Sequence, residues 1–307
     1  MINIKIKDFL SKLIYKILEL LESITGNFFI IKLLPTRIKN KNSNLPVYRN
    51  IKEEFVILMQ GPLIHKNDFT LETLSFYRSV FPNVKIILST WDSECSLTCK
   101  KIEKIGVDVL TSELPQITGI SNVNLQLIST NAAINYLGDE NQYILKTRTD
   151  HRIYCSDNWL AYLRKKCEMS IPGRGLEKKL LICNLNMFQS RKYVVSDMFM
   201  FGRKMDMKCF WDVSHQKTNQ DTYLDNDIFG FHGAETHIMN QFLKLVRWNI
   251  LKTRSDSDEF LHSYFSIIDK DVLELFWFKY NHFYDRKFKT VDNGRSRITS
   301  VINFDDS

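Results

Sequence analysis

A chain of 307 residues, 44% of them apolar and 25% charged, has the composition of an ordinary soluble globular protein and is long enough for a sizeable core. Its net charge of +7 is uneven: residues 1–45 hold eight cations and three acids, so +5 of the charge sits there, and the near-neutral remainder argues against a nucleic-acid binder. Six cysteines without a CxxC pair or zinc-finger spacing argue against a disulfide framework and point to free thiols in a reducing cytoplasm.

Phe9, Leu10, Leu13, Ile14, Ile17, Leu18 and Leu21 recur at helical spacing, with Lys5, Asp8, Lys12, Lys16 and Glu19 between them, which predicts an amphipathic helix. It has no run of about 18 uncharged apolar residues, so it is not a spanning segment. Charge interrupts the apolar stretch and no small-residue cleavage site follows, so it is a poor signal peptide. Two readings stand: a helix packed on its own domain or a partner, or one lying on an anionic membrane surface. The second puts the protein on the inner face of the cytoplasmic membrane. Pro35 to Asn50 is polar with two prolines and reads as a linker, closing a segment of residues 1–50.

From residue 54 strands and helices alternate. Phe55–Met59 reads as a buried strand, followed by the turn Gln60-Gly61-Pro62. A helix fits 69–80, broken by Phe81-Pro82-Asn83. Strand 84–89, helix 92–105, strand 107–110 and helix 121–137 follow, the last with Ser121 or Asn122 as its cap. This alternation predicts an α/β domain over residues 51–290, with a mostly parallel sheet flanked by helices. Ligands of such sheets bind beyond the carboxyl ends of the strands, here Gln60 to Pro62, Ser89 to Trp91, the Thr111 region and Arg148 to Arg152. There is no GxGxxG, no GxxxxGK[ST] and no GxSxG, which argues against a dinucleotide oxidoreductase, a P-loop NTPase and a serine hydrolase.

The strand Tyr143 to Asp150 is the most informative. Ile144, Lys146, Arg148 and Asp150 share one face, and His151 and Arg152 follow. Such charge is costly to desolvate unless it meets opposite charge; a phosphorylated ligand, with or without a divalent metal, satisfies it. Farther on, Ser196–Gly202 reads as a strand entering a turn, with Asp197 able to face the site. Phe231–His237 leads into a helix with Glu235 in its first turn, where a carboxylate favours the dipole. His232, Glu235 and His237 lack HExxH spacing. The aromatic run Phe276–Tyr284 reads as a helix on the core, and residues 291–307 as a polar tail.

Gln60-Gly61-Pro62, Phe81-Pro82 leading to Ile86–Trp91, Asn124-Leu125-Gln126 with Ser129-Thr130, and Leu145–Asp150 stand in the order seen in the WavE-type lipopolysaccharide synthesis proteins, a family of bacterial glycosyltransferases that the chain resembles over about residues 54–265. The resemblance implies a GT-A-like, Rossmann-like fold. It also implies transfer of a sugar from a nucleotide-sugar donor to a lipopolysaccharide or other surface-glycan acceptor, free or lipid-linked. Asp150-His151-Arg152 matches the Asp-x-Asp of GT-A enzymes with one carboxylate, so Asp150 and His151 become candidate ligands of Mn2+ or Mg2+; Glu235, as acceptor base, and Asp150, as metal or ribose contact, are the catalytic candidates. Lys146, Arg148 and Arg152 become diphosphate contacts; Gln60, Gly61, Pro62, Thr90, Trp91, Asn124 and Gln126 become donor contacts. An inactive nucleotide-sugar-binding or assembly protein is the alternative, and a nucleotidyltransferase a third.

Overall fold

The computed structural model describes residues 4–26, 55–138, 142–154, 159–188, 190–219, 226–230 and 232–279, with 291–292 and 295–296. The chain divides into two compact units, 1–36 and 37–307. In the first, α1 (Ile4–Thr25) is about 33 Å long at ~1.5 Å per residue. Leu13, Ile14, Tyr15, Ile17, Leu20, Leu21 and Ile24 along it are exposed. No described helix is long and apolar enough to cross a membrane. The expected linker from Pro35 to Asn50 lies outside the described residues, as does most of the expected polar tail.

The second unit runs β1 (Phe55–Gln60), α2 (Phe69–Val80), β2 (Lys85–Trp91), α3 (Ser96–Lys104), β3 (Asp108–Ser112), α4 (Val123–Tyr136), β4 (Tyr143–Arg148), β5 (His151–Ile153), α5 (Trp159–Glu168) and β6 (Leu180–Cys183). It continues with β7 (Met200–Arg203), α6 (Lys204–Trp211), α7 (Asn226–Phe229), α8 (Ala234–Leu245), α9 (Arg254–Tyr264), β8 (Phe265–Ile268), β9 (Leu275–Trp277) and the short pair β10 (Val291–Asp292) and β11 (Arg295–Ser296). Seven strands form one sheet in the order β3-β2-β1-β4-β7-β6-β8. Six run parallel, and β7 opposes its neighbours β4 and β6. The mostly parallel α/β sheet flanked by helices is the arrangement expected. β1 opens on an unbroken apolar run, Phe55–Met59, because both faces of the sheet are covered there, and it is buried along its whole length.

One face carries Val56 and Leu58 of β1, Ile87 of β2 and Ile144 of β4, which pack with Leu127 and Ile134 of α4, Phe210 and Trp211 of α6, and Ile238 and Phe242 of α8 in a single core. Lys146 and Arg148 continue that face toward the carboxyl ends. On the opposite face Tyr143 and Phe201 stack at 5.5 Å with Phe55 beside them. Arg152 is fully buried there: its Nε donates to Thr73 Oγ1 at 3.0 Å, its Nη1 donates to Tyr154 OH at 3.2 Å, and its guanidinium lies 4.6 Å from the Phe69 ring.

Four local expectations differ from the structure, the first being the strand read over Ser196–Gly202, which begins only at Met200 and leads through Arg203 into α6. Asn122 occupies the α4 cap position with a left-handed φ of 63° and no capping hydrogen bond from its side chain. The charged strand ends at Arg148, and Thr149-Asp150 form a turn. The aromatic run at 276 opens as strand rather than helix: Leu275–Trp277 pairs antiparallel with His151–Ile153, because β5 offers an unpaired edge. Residues 280–284 of that run lie outside the described residues.

Candidate functional site

The carboxyl ends of β2, β1 and β4 bring Ser89, Gln60 and Arg148 into one row, since Gln60 is in register with both of the others. Gln60 is buried, and its Oε1 accepts from Ser129 Oγ of α4 at 2.7 Å. The chain then turns at Gly61, whose φ of +122° suits glycine alone. A Cβ there would sit 2.9 Å from Thr149 Oγ1, so the two strand-end turns touch. The backbone closes the same junction: Gly61 N–H donates to Ser89 O and Thr149 N–H to Gln60 O, each at 3.1 Å.

Beyond the row lies a cluster of charge. Arg148 Nε donates to Asp150 Oδ1 at 3.0 Å, and its Nη2 to Asp150 Oδ2 at 3.3 Å. Asp150 Oδ2 also accepts from Trp277 Nε1 at 2.9 Å. Asp197, just before β7, is buried; its Oδ2 stands 3.9 Å from both Arg148 Nη1 and Lys146 Nζ and accepts no hydrogen bond. Glu235, in the first turn of α8, is half-buried and accepts from Asn186 Nδ2 at 3.4 Å. Burial, reinforced by Asp197, pushes its carboxyl up to about 7, against the pull of Arg191 and Arg148. Burial also acts to raise Asp150, but His151 and Arg148 overcome it and hold that carboxyl well below the usual range. Burial lowers His151 to about 4, so near neutral pH the imidazole is uncharged and Arg148 is the cation that keeps Asp150 ionised.

The sequence-predicted residues separate accordingly. Gln60, Gly61, Arg148, Asp150 and Glu235 meet at the strand ends or in the charged cluster, with Pro62 exposed beside them. Lys146 differs from expectation as a diphosphate contact: fully buried, it donates to Asp197 O at 2.6 Å and stands 4.3 Å from the Trp211 ring centroid. Arg152 differs likewise, since it joins β5 to α2 on the opposite face. Asn124 is a clamp: its Nδ2 donates to Ile117 O and Gln216 O, and its Oδ1 accepts from Gln216 N, all at 2.8 Å. Thr90 and Trp91 are core residues, and Gln126 is half-buried with its Oε1 sealed from solvent.

A divalent cation fits this donor set poorly. Arg148 and Trp277 already fill three of the roughly four acceptor positions of Asp150, and the one left on Oδ1 lies beside buried His151. His151 is fully buried, 5.5 Å edge-on from the Trp277 ring. Among the described residues no three His, Cys, Asp or Glu side chains are grouped to hold an ion. His237 is likewise engaged, with its Nε2 2.7 Å from Ser214 O and from Gln241 Nε2.

Sequence reasoning placed Asp197 near the site but missed Asn186, Arg191 and Trp277. Asn186 and Arg191 come from the irregular segment between β6 and β7, where no periodicity marks a face. Trp277 lies 127 residues from its partner Asp150. The one signal for it was the aromatic density of its neighbourhood.

No curated protein matches the chain. Among solved structures it is similar to the mannosyltransferase PcManGT from Pyrobaculum calidifontis in complex with GDP-Man and Mn2+, at 9% identity and TM-score 0.32 over 52% of this chain and 47% of that one, so the match spans about half of that protein's length. It is similar to a 4-diphosphocytidyl-2C-methyl-D-erythritol synthase from Anaerococcus prevotii DSM 20548, at 10% identity and TM-score 0.37 over 71% and 89% of the two chains. It is also similar to S. aureus TarS, at 14% identity and TM-score 0.35 over 70% of this chain and 35% of that one. The family model described as WavE lipopolysaccharide synthesis matches residues 55–259, two thirds of the chain, and the chain belongs to that family.

Proposed function

We propose that this chain is a glycosyltransferase that moves a sugar from a nucleotide-sugar donor to a surface-glycan acceptor. Glu235 carries the reading: a half-buried carboxyl poised near 7, in one cluster with a partly exposed arginine at the strand ends. Deprotonating an acceptor hydroxyl calls for a base of that strength, and a departing nucleoside diphosphate calls for a cation. In the proposed step the acceptor oxygen forms a bond to the anomeric carbon while the bond from that carbon to the phosphate oxygen breaks. The proton passes to Glu235 and the electron pair to the diphosphate, beside Arg148. A thermal-shift screen of UDP-, GDP-, CMP- and dTDP-sugars tests donor binding through ligand linkage; stabilisation by none of them refutes the reading. Glu235→Gln should cut turnover by about 10²- to 10⁴-fold with donor affinity unchanged.

The engagement of Asp150 by Arg148 and Trp277 favours a second reading, an inactive donor-binding or assembly protein. Slow donor hydrolysis without acceptor would eliminate it. For the N-terminal unit we propose that α1 lies in the headgroup layer of the cytoplasmic membrane, on its inner face. Its exposed apolar side chains and the basic residues between them suit that position. If the full chain and one lacking residues 1–36 distribute identically between anionic vesicles and buffer, this placement is wrong.

A further inference from the structure

Trp277 stands on β9, beyond residue 259 where the family match ends, yet it reaches the charged cluster. Its half-buried indole donates Nε1–H to Asp150 Oδ2 at 2.9 Å. The backbone repeats the link: Phe278 N–H donates to Asp150 O at 2.9 Å, and Trp277 is in register with His151. The turn that carries Asp150 is thus pinned to the C-terminal strand. Asp150 in turn grips Arg148 through Nε and Nη2. That fork leaves Nη1, 3.9 Å from Asp197 Oδ2 and outside hydrogen-bond reach, on a side chain 26% exposed. Lys146, two residues back on the same strand face, is fully buried, so Arg148 is the cation of β4 that meets solvent.

We propose that Trp277 and Asp150 are positioning residues that aim the Arg148 guanidinium at the donor diphosphate, so that Asp150 is the counter-ion of a cation and not the ligand of a metal. The inference rests on the sugar-transfer reading. A guanidinium fixed at its back loses little side-chain freedom when an anion binds its front. The carboxylate that fixes it is itself heavily engaged, with two donors on Oδ2 and one on Oδ1.

The test is titration calorimetry of the full-length chain with UDP, GDP, CDP and dTDP and with the four parent nucleosides, each in EDTA and in Mn2+. The nucleotide that binds should do so in EDTA within about twofold of its Mn2+ affinity. Trp277→Phe keeps an aromatic side chain and removes the N–H; it should weaken the diphosphate about five- to tenfold and leave the nucleoside unchanged. Asp150→Asn should weaken the diphosphate further, about fiftyfold. Arg148→Lys should not restore binding, for lysine lacks the fork. Unchanged nucleoside affinity also shows that each variant is folded; if Asp150→Asn is not, Trp277→Phe decides. Diphosphate binding that requires Mn2+ in the wild type, or wild-type diphosphate affinity in Trp277→Phe, overturns the inference and leaves the donor reading standing. Failure of all four diphosphates to bind the wild type overturns the inference, and the sugar-transfer reading falls with it if no nucleotide-sugar stabilises the chain.

Discussion

Replacing Lys146 with methionine asks whether this cation belongs to the core or to a ligand. Its ammonium is fully buried between Asp197 and Trp211, and burial, partly offset by Asp197, lowers its pKa from 10.5 to about 8. The difference of about 2.5 units, at ~1.36 kcal/mol each, makes the charged form about 3 kcal/mol less favourable in the folded chain than in the unfolded one. Methionine removes that liability along with a cation–π contact of about 2 kcal/mol, so stability at neutral pH should stay within about 2 kcal/mol of wild type. The pH dependence is the sharper measurement. Between pH 8 and 10.5 the unfolded chain still holds the Lys146 proton while the native chain has released it. Wild-type stability therefore gains on the variant's as pH rises through that window, by up to about 3 kcal/mol. Urea unfolding of both proteins from pH 7 to 10.5 reads this directly. Parallel curves would refute the reasoning, for they would mean that the ammonium reaches water in the native state and can meet a ligand.

Asp197→Asn removes a charge that raises Glu235, so the rise of kcat/KM with pH should move to lower pH by about one unit, with burial still holding it above the ordinary carboxylate value. An unmoved limb would show that Asp197 does not act on Glu235. Gly61→Ala forces a Cβ to 2.9 Å from Thr149 Oγ1 at a φ of +122°, and should cost about 1–3 kcal/mol. A melting temperature equal to wild type would refute the strain.

The α/β alternation from β1 to β4, the turn at Gly61 and the place of Glu235 in a first helical turn were all legible in the sequence. Each depends on neighbours close along the chain: apolar runs, spacing, a glycine at a strand end. The same local reading assigned Lys146 and Arg148 to one face of one strand, and that is correct. Periodicity names a face and carries no measure of depth along it. Trp211 of α6 covers Lys146, while Arg148, two residues on, passes the edge of that cover. Arg152 left the site because the chain turned at Thr149 and Asp150 and sent it beneath α2. Trp277 entered because β9 paired with β5 across more than a hundred residues. Charge in the sequence announced a site at the end of β4; which charges reach solvent, and which are neutralised within the protein, depended on helices and a strand packed from far along the chain.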